Sequence, residues 1–250
     1  MNRVYFIGAG PGDPELMTFR GARLLAECRT VYAFSPFDET FVELLSGKEL
    51  FDPYDYPFDG LLAQLERQRQ QGPVAFLVPG DLSFFCPFQA LIEHFGDQAE
   101  VVPGVGTVNA ASALLKRTLN LSGKCSRTLI VSPRVLEEQP GSPALEELAA
   151  PGVTLVIYMN HLPLAELVAR LRRGYGSNVP IALVHRLGFT GQKVLCGTLD
   201  DIVELSSGQV FFAANGGRRS DLTLVLVGET LTAPVDHSWW DKRYQRRDSE

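Results

Sequence analysis

The stretch Gly8-Ala9-Gly10-Pro11-Gly12-Asp13-Pro14 decides the fold, because of what stands on either side of it. Before it, Val4-Tyr5-Phe6-Ile7 is a short apolar run of β-branched and aromatic residues that suits a strand buried on both faces. After it, Thr18 to Ala26 spaces Phe19, Ala22, Leu24 and Leu25 at helical intervals, with Thr18 as the N-cap. Strand, glycine turn and helix make the opening unit of an α/β sheet.

Working outward, Thr30 to Phe34 reads as a second strand. Leu61 to Gln71 is a helix stopped by Gly72-Pro73, and Val74 to Val78 is a buried strand ending in Pro79-Gly80-Asp81. Phe88 to Phe95 reads as helix, Ala99 to Val102 as strand and Gly106 to Arg117 as an alanine-rich helix. Residues 119–124 are polar and contain glycine, and they read as a linker between an amino-terminal domain over 1–118 and a carboxy-terminal domain over 125–235. There the alternation restarts, with strands at Thr128 to Ser132, Thr154 to Met159, Ile181 to Val184, Val210 to Ala213 and Leu222 to Val227. Helices are expected at Leu145 to Ala149 and Leu164 to Arg173, and an exposed loop at Glu137 to Pro143. The fold class is therefore α/β, two domains with mainly parallel sheets. The tail over 236–250 sets Trp239, Trp240 and Tyr244 among charges, and reads either as a frayed end or as a segment docked on another surface.

Composition narrows the function. A net charge of -6 argues against a chain that coats nucleic acid or an anionic membrane, both of which need a basic surface. No apolar run approaches the roughly 18 residues of a membrane span, and Met1-Asn2-Arg3 opens onto a strand rather than a signal-peptide core, so a cytoplasmic location is expected. Cys28, Cys86, Cys125 and Cys196 stand singly, which points to reduced thiols and no metal site.

Two phosphate-binding readings of the glycine loop fail. In a dinucleotide fingerprint the third glycine follows the second by three residues, whereas Gly12 follows Gly10 by two, and Pro11 and Pro14 delay the helix. No acidic residue closes Thr30 to Phe34 to hold a ribose, and no Gly-Lys-Ser/Thr follows to make a P-loop.

The longer string from Gly8 through Leu16 and Thr18 to Gly21 resembles the amino-terminal signature of the tetrapyrrole methylases. It is joined, in the order of that family, by Pro79-Gly80-Asp81, Val101-Val102-Pro103-Gly104-Val105, Tyr158-Met159 and Ile181-Ala182-Leu183-Val184. The resemblance implies the tetrapyrrole methylase (class III methyltransferase) fold, with the active-site cleft between two α/β domains, and a homodimer. It implies S-adenosylmethionine as methyl donor, with S-adenosylhomocysteine as product. Carried over by position, donor contacts come from Pro11, Gly80, Asp81, Leu82, Ser83, Phe85, Thr107, Val108, Met159 and Leu187. Main-chain amides and apolar side chains suffice for a flat adenine, and Asp81 could accept from the donor's amino group or act as a helix-capping aspartate alone.

Within the family, the start through Met17-Thr18 and the tail Ser238-Trp239-Trp240-Asp241-Lys242-Arg243-Tyr244 resemble the precorrin-4 and cobalt-precorrin-4 C11-methyltransferases of cobalamin biosynthesis. Two features depart from that pattern: Leu82 stands where a proline follows Gly-Asp, and Phe34-Ser35-Pro36-Phe37 replaces a segment that lies beside the tetrapyrrole. A carboxylate-fringed macrocycle calls for guanidinium groups, and Arg20, Arg117, Arg127, Arg134 and Arg186 are the candidates. Ser35, Asp38 and His185 are candidate bases for removing a proton from the macrocycle. Two alternatives stay open: a methylase of the same fold acting on another precorrin or a non-tetrapyrrole substrate, and a catalytically silent protein that binds a tetrapyrrole or the donor.

Overall fold

The computed structural model describes residues 2–212, 222–235 and 237–247. Its first half runs β1 (Val4–Gly8), α1 (Phe19–Glu27), β2 (Thr30–Tyr32), the short helices α2 (Phe37–Thr40) and α3 (Val42–Leu45), and β3 (Glu49–Phe51). It continues through α4 (Phe58–Gln68), β4 (Val74–Val78), α5 (Gln89–Phe95), β5 (Ala99–Val102) and α6 (Thr107–Leu115). The sheet order is β3-β2-β4-β1-β5, and every pairing in it is parallel.

All residues of β1 and β4 are buried, as continuous apolar strands in a doubly covered sheet must be. The two-residue strand period divides them. Tyr5, Ile7, Ala75 and Leu77 face Leu24 and Leu25 of α1, while Val4, Phe6, Val74 and Phe76 face Leu61 and Leu65 of α4 and Leu91 of α5. The Thr18 hydroxyl accepts from the Gly21 N–H at 3.1 Å and so caps α1.

The second half contains β6 (Arg127–Val131), α7 (Pro133–Glu138), α8 (Leu145–Leu148), β7 (Val153–Ile157) and α9 (Leu164–Tyr175). Then come β8 (Pro180–His185), β9 (Lys193–Thr198), α10 (Ile202–Leu205), β10 (Thr223–Val227) and α11 (Ser238–Arg247). This sheet, β6-β7-β10-β8-β9, is mixed: β6 and β7 are parallel, while β10 pairs antiparallel with β7 and β8, and β8 with β9. One face packs on α9 through Leu167, Leu171 and Tyr175. The other face, with Val156, Ala182, Val184, Leu224 and Leu226, receives Val108 and Ala111 of α6. Helix α6 thus leaves the first sheet and covers the second. Residues 119–124 lead from it into a tight turn closed by paired hydrogen bonds between Leu121 and Cys125.

Two expectations, the strand at Val210 to Ala213 and the loop at Glu137 to Pro143, need correction. Val210, Phe211 and Phe212 are not a strand, and Ala213 lies outside the described residues; the Phe211 carbonyl is taken by the Thr223 hydroxyl instead of a ladder partner. Residues 137–138, read as loop, close α7, whose N-cap Ser132 accepts from the Val135 N–H at 3.4 Å. The tail is helical, with Trp240 and Tyr244 about two-thirds exposed. Among the described residues no helix is long and apolar enough to cross a membrane.

Candidate functional site

In a parallel sheet the loops after the strands gather at one edge, where such folds place ligands. Here the loops after β1, β4 and β5 meet backbone to backbone. A Cβ on Gly104 would lie 2.3 Å from the Gly80 carbonyl oxygen and 2.6 Å from that of Gly8, and one on Gly8 would lie 2.5 Å from the Gly104 nitrogen. No side chain fits there. Gly10 and Gly80, both at positive φ, exchange hydrogen bonds at 3.1 and 2.7 Å, so the two loops are stitched together.

Asp81 completes the seam. One carboxylate oxygen accepts from the Ser83 N–H at 2.9 Å and from the Ser83 hydroxyl, and the other accepts from the Gly104 N–H at 2.9 Å. Burial pushes its pKa up, but the bonds from the Ser83 hydroxyl and the Gly104, Ser83 and Leu82 amides outweigh that and hold it below the usual carboxylate range.

Above this seam lies a cavity of about 350 Å³ shared by both halves. The first half contributes Pro11, Pro79, Asp81, Phe85 and Thr107, and the second contributes Tyr158, Met159, Leu187, Phe189 and Leu222 to Leu224. Phe34, Phe37, Tyr54, Phe84 and Cys86 extend the first-half wall toward the mouth, where Tyr54, Phe84 and Phe85 are each 40% or more exposed.

The Tyr158 hydroxyl ties the two halves together across the cleft. Helix α6 begins at Gly106, which has no side chain to cap it, and the Val108 N–H donates instead to the Tyr158 hydroxyl at 3.0 Å. Burial pushes the Tyr158 phenol up, opposed by hydrogen bonds with Val108 and Thr107. Its ring lies 5.7 Å from that of Phe85. Phe85 and Met159, both on the cavity wall, adopt positive φ, at 56° and 46°, a conformation uncommon for non-glycine residues.

Of the residues expected at the donor site, the fold gathers Pro11, Asp81, Phe85, Thr107, Met159 and Leu187 on the cavity wall. Gly80, Leu82 and Ser83 belong to the same turn, and Val108 is the amide held by Tyr158. The expected bases fare differently. The Ser35 hydroxyl donates to Glu39 at 3.3 Å and the Asp38 carboxylate accepts from the Glu39 N–H, and neither lines the cavity. His185 does not line the cavity but stands beside the wall residue Thr223, whose hydroxyl oxygen lies 2.7 Å from the imidazole Nδ1.

None of the five candidate arginines lines this cavity, and each has a partner on the protein itself. Arg20 pairs with Glu100 at 2.6 Å, Arg134 with Glu138 at 3.0 Å, and Arg117 donates to the Ala233 carbonyl at 3.1 Å. Arg127 donates to the Pro151 carbonyl at 3.5 Å, and Arg186 to the Thr190 carbonyl at 3.0 Å. Sequence reasoning missed Tyr54, Phe84, Tyr158, Phe189 and Thr223 as wall residues. Tyr158 stood inside a quoted motif, whereas nothing local marks Tyr54.

Among the described residues the site offers main-chain groups, one carboxylate and aromatic walls, a setting for a flat ligand with a few polar edges. Among the described residues no three His, Cys, Asp or Glu side chains converge to hold a metal ion. The family model for tetrapyrrole (corrin/porphyrin) methylases matches residues 3–203. A precorrin-4 C(11)-methyltransferase from Pseudomonas aeruginosa is 34% identical over 236 residues, covering 92% of this chain and 91% of that protein. A cobalt-precorrin-4 C(11)-methyltransferase from Methanocaldococcus jannaschii is 28% identical, covering 92% and 88%. A solved cobalt precorrin-4 methyltransferase shares the fold at a TM-score of 0.75 and 23% identity, covering 92% of this chain and 96% of that one. A uroporphyrin-III C-methyltransferase from Thermus thermophilus, solved with S-adenyl homocysteine, matches at 0.68 and 28%, covering 94% and 98%.

Proposed function

The chain belongs to the tetrapyrrole (corrin/porphyrin) methylases, and on that premise we propose that it transfers a methyl group from S-adenosylmethionine to carbon 11 of precorrin-4 or its cobalt form. The observation that carries this reading is the 34% identity to a precorrin-4 C(11)-methyltransferase across nearly the whole of both chains. The assignment is to cobalamin biosynthesis. Homodimeric assembly, a cytoplasmic location and a division into domains at residues 119–124 belong to the same proposal.

The residues present fit the donor. Glycines 8 and 104 let the loops after β1, β4 and β5 close on one another where a Cβ would collide, and that seam sets Pro11, Pro79 and Asp81 on the cavity wall. Among the described residues Asp81 is the one carboxylate on the wall, suited to a ligand bearing ammonium and sulfonium charge. Pro11, Phe85, Met159 and Leu187 supply apolar contacts, and the turns at Gly80 to Ser83 and Thr107 to Val108 supply polar backbone. A volume of about 350 Å³ is near the lower end of the roughly 300 to 1,000 Å³ of small-molecule sites. The macrocycle then meets the mouth, against Tyr54 and Phe84.

The donor carries its own leaving group, so the chain's work is alignment and exclusion of water, and alignment can supply roughly 7 to 11 kcal/mol of the barrier. The aromatic walls dry the cleft and hold the acceptor carbon in line. Of the three proposed bases, His185 is the one beside a wall residue, Thr223; because the Thr223 hydroxyl donates its one proton to the Phe211 carbonyl, the imidazole Nδ1–H donates to Thr223 Oγ1, so the ring positions that hydroxyl and takes no macrocycle proton through it. Incubation with S-adenosylmethionine and precorrin-4, or its cobalt form, should give a product heavier by one methyl group, located at carbon 11 by NMR. Methylation of an earlier precorrin alone would defeat the assignment.

A further inference from the structure

Phe189 lies on the loop between β8 and β9, yet its ring is buried in the core of the other half, beside Ile7, Ala33 and Phe37. It meets Phe37 edge-on at 5.1 Å between centroids. On another side it rests against the backbone of Gly12, where a Cβ would lie 2.5 Å from the ring. The neighbouring Gly188 is as close, since a Cβ there would lie 2.5 Å from the Asp13 nitrogen.

The loop that carries the ring is braced from within. The Phe189 N–H donates to the Arg186 carbonyl at 2.9 Å, the Gly188 N–H to the Gln192 side chain at 2.8 Å, and the Arg186 guanidinium sits 5.8 Å over the Phe189 ring. Its neighbours are also cavity walls: Pro11 adjoins Gly12, Leu187 precedes the ring by two residues, and Phe37 stands across from it. One ring thus touches the glycine loop, the aromatic wall and its own half at once.

We infer that Phe189 is a positioning residue, a ring from one half seated in a socket of the other that sets the distance across the cleft. The inference rests on the donor assignment only for its kinetic consequence. Phe41 supplies the control, because it is buried in the same cluster and stacks on Phe37 at 5.9 Å but does not line the cavity.

Phe189→Leu and Phe41→Leu should lower Tm by similar amounts, since both trim a buried ring in one core. Only Phe189→Leu should also weaken S-adenosylhomocysteine about fivefold and lower kcat about tenfold, because small misplacements cost heavily in rate. Without any ligand, amide hydrogen exchange over residues 9–14 should rise about tenfold in Phe189→Leu and stay unchanged in Phe41→Leu. Equal exchange in the two variants would overturn the inference, as would unaltered exchange in Phe189→Leu. That readout needs no donor, so wild-type protein that binds no S-adenosylhomocysteine would count against the donor assignment alone.

Discussion

Replacing Asp81 by alanine removes the acceptor for three donors, the amide and hydroxyl of Ser83 and the amide of Gly104. The Gly104 amide has little room to find another partner, because that residue is wedged against the Gly80 and Gly8 carbonyls. A hydrogen bond to a charged group contributes about 1.5 to 3 kcal/mol, and partial exposure of Asp81 trims that, so the loss should be about 2 kcal/mol. For a chain of this size that is a fall in Tm of about 4 to 8 °C. Asp81→Asn keeps one acceptor oxygen and should fall about half as far. Because the folded pKa is depressed, the carboxylate's contribution is full above its unfolded value of about 3.9 and is lost as pH falls through the lower, folded value. The Tm gap between wild type and Asp81→Asn should therefore be constant from pH 7 to 5 and shrink below about pH 4. Thermal unfolding across that range, with calorimetric titration of S-adenosylhomocysteine at pH 7, makes the measurement. Asp81→Ala with unchanged Tm and unchanged ligand affinity would refute both roles, and a gap that persists at low pH would refute the linkage argument.

Tyr158→Phe keeps the ring but leaves the Val108 amide uncapped; it should cost about 1 kcal/mol, as cap removals do, and weaken S-adenosylhomocysteine several-fold by calorimetry. A variant matching wild type in both would show that the cross-cleft bond is idle. Cys86 lines the cavity and Cys196 is exposed, so saturating S-adenosylhomocysteine should slow iodoacetamide labelling of Cys86 and leave Cys196 unaffected in peptide mass spectra. Cys28, whose thiol burial pushes up to about 12, should label slowest of the three; equal labelling of Cys86 with and without ligand would place the ligand elsewhere.

What could be read in the sequence was whatever local patterning decides. The apolar runs of β1 and β4 and the Thr18 cap are short-range signals, and each element formed where it was expected. Strand β9 was missed because it is an edge strand with Lys193, Val194 and Cys196 exposed, so its pattern shows neither clean alternation nor a continuous apolar run. The site divides the same way. Glycine loops announce themselves, but the partner of a long side chain does not: Arg20 finds Glu100 80 residues away, and Tyr158 reaches an amide 50 residues earlier. An arginine near a loop end therefore says little about the cleft until the acceptors around it are known.

The meeting of Gly8, Gly80 and Gly104 bears on how such a site can be altered. A seam made of backbone presents no side chain for a single substitution to exchange, and a Cβ added at Gly8 or Gly104 must push two loops apart. The aromatic wall of Phe34, Tyr54 and Phe84 has no such constraint, being made of side chains at an open mouth. Heritable change can then reach the aromatic side of this cleft far more readily than the seam beneath it. Attempts to retune acceptor preference by directed evolution should accumulate their changes on the aromatic side and leave the glycines untouched.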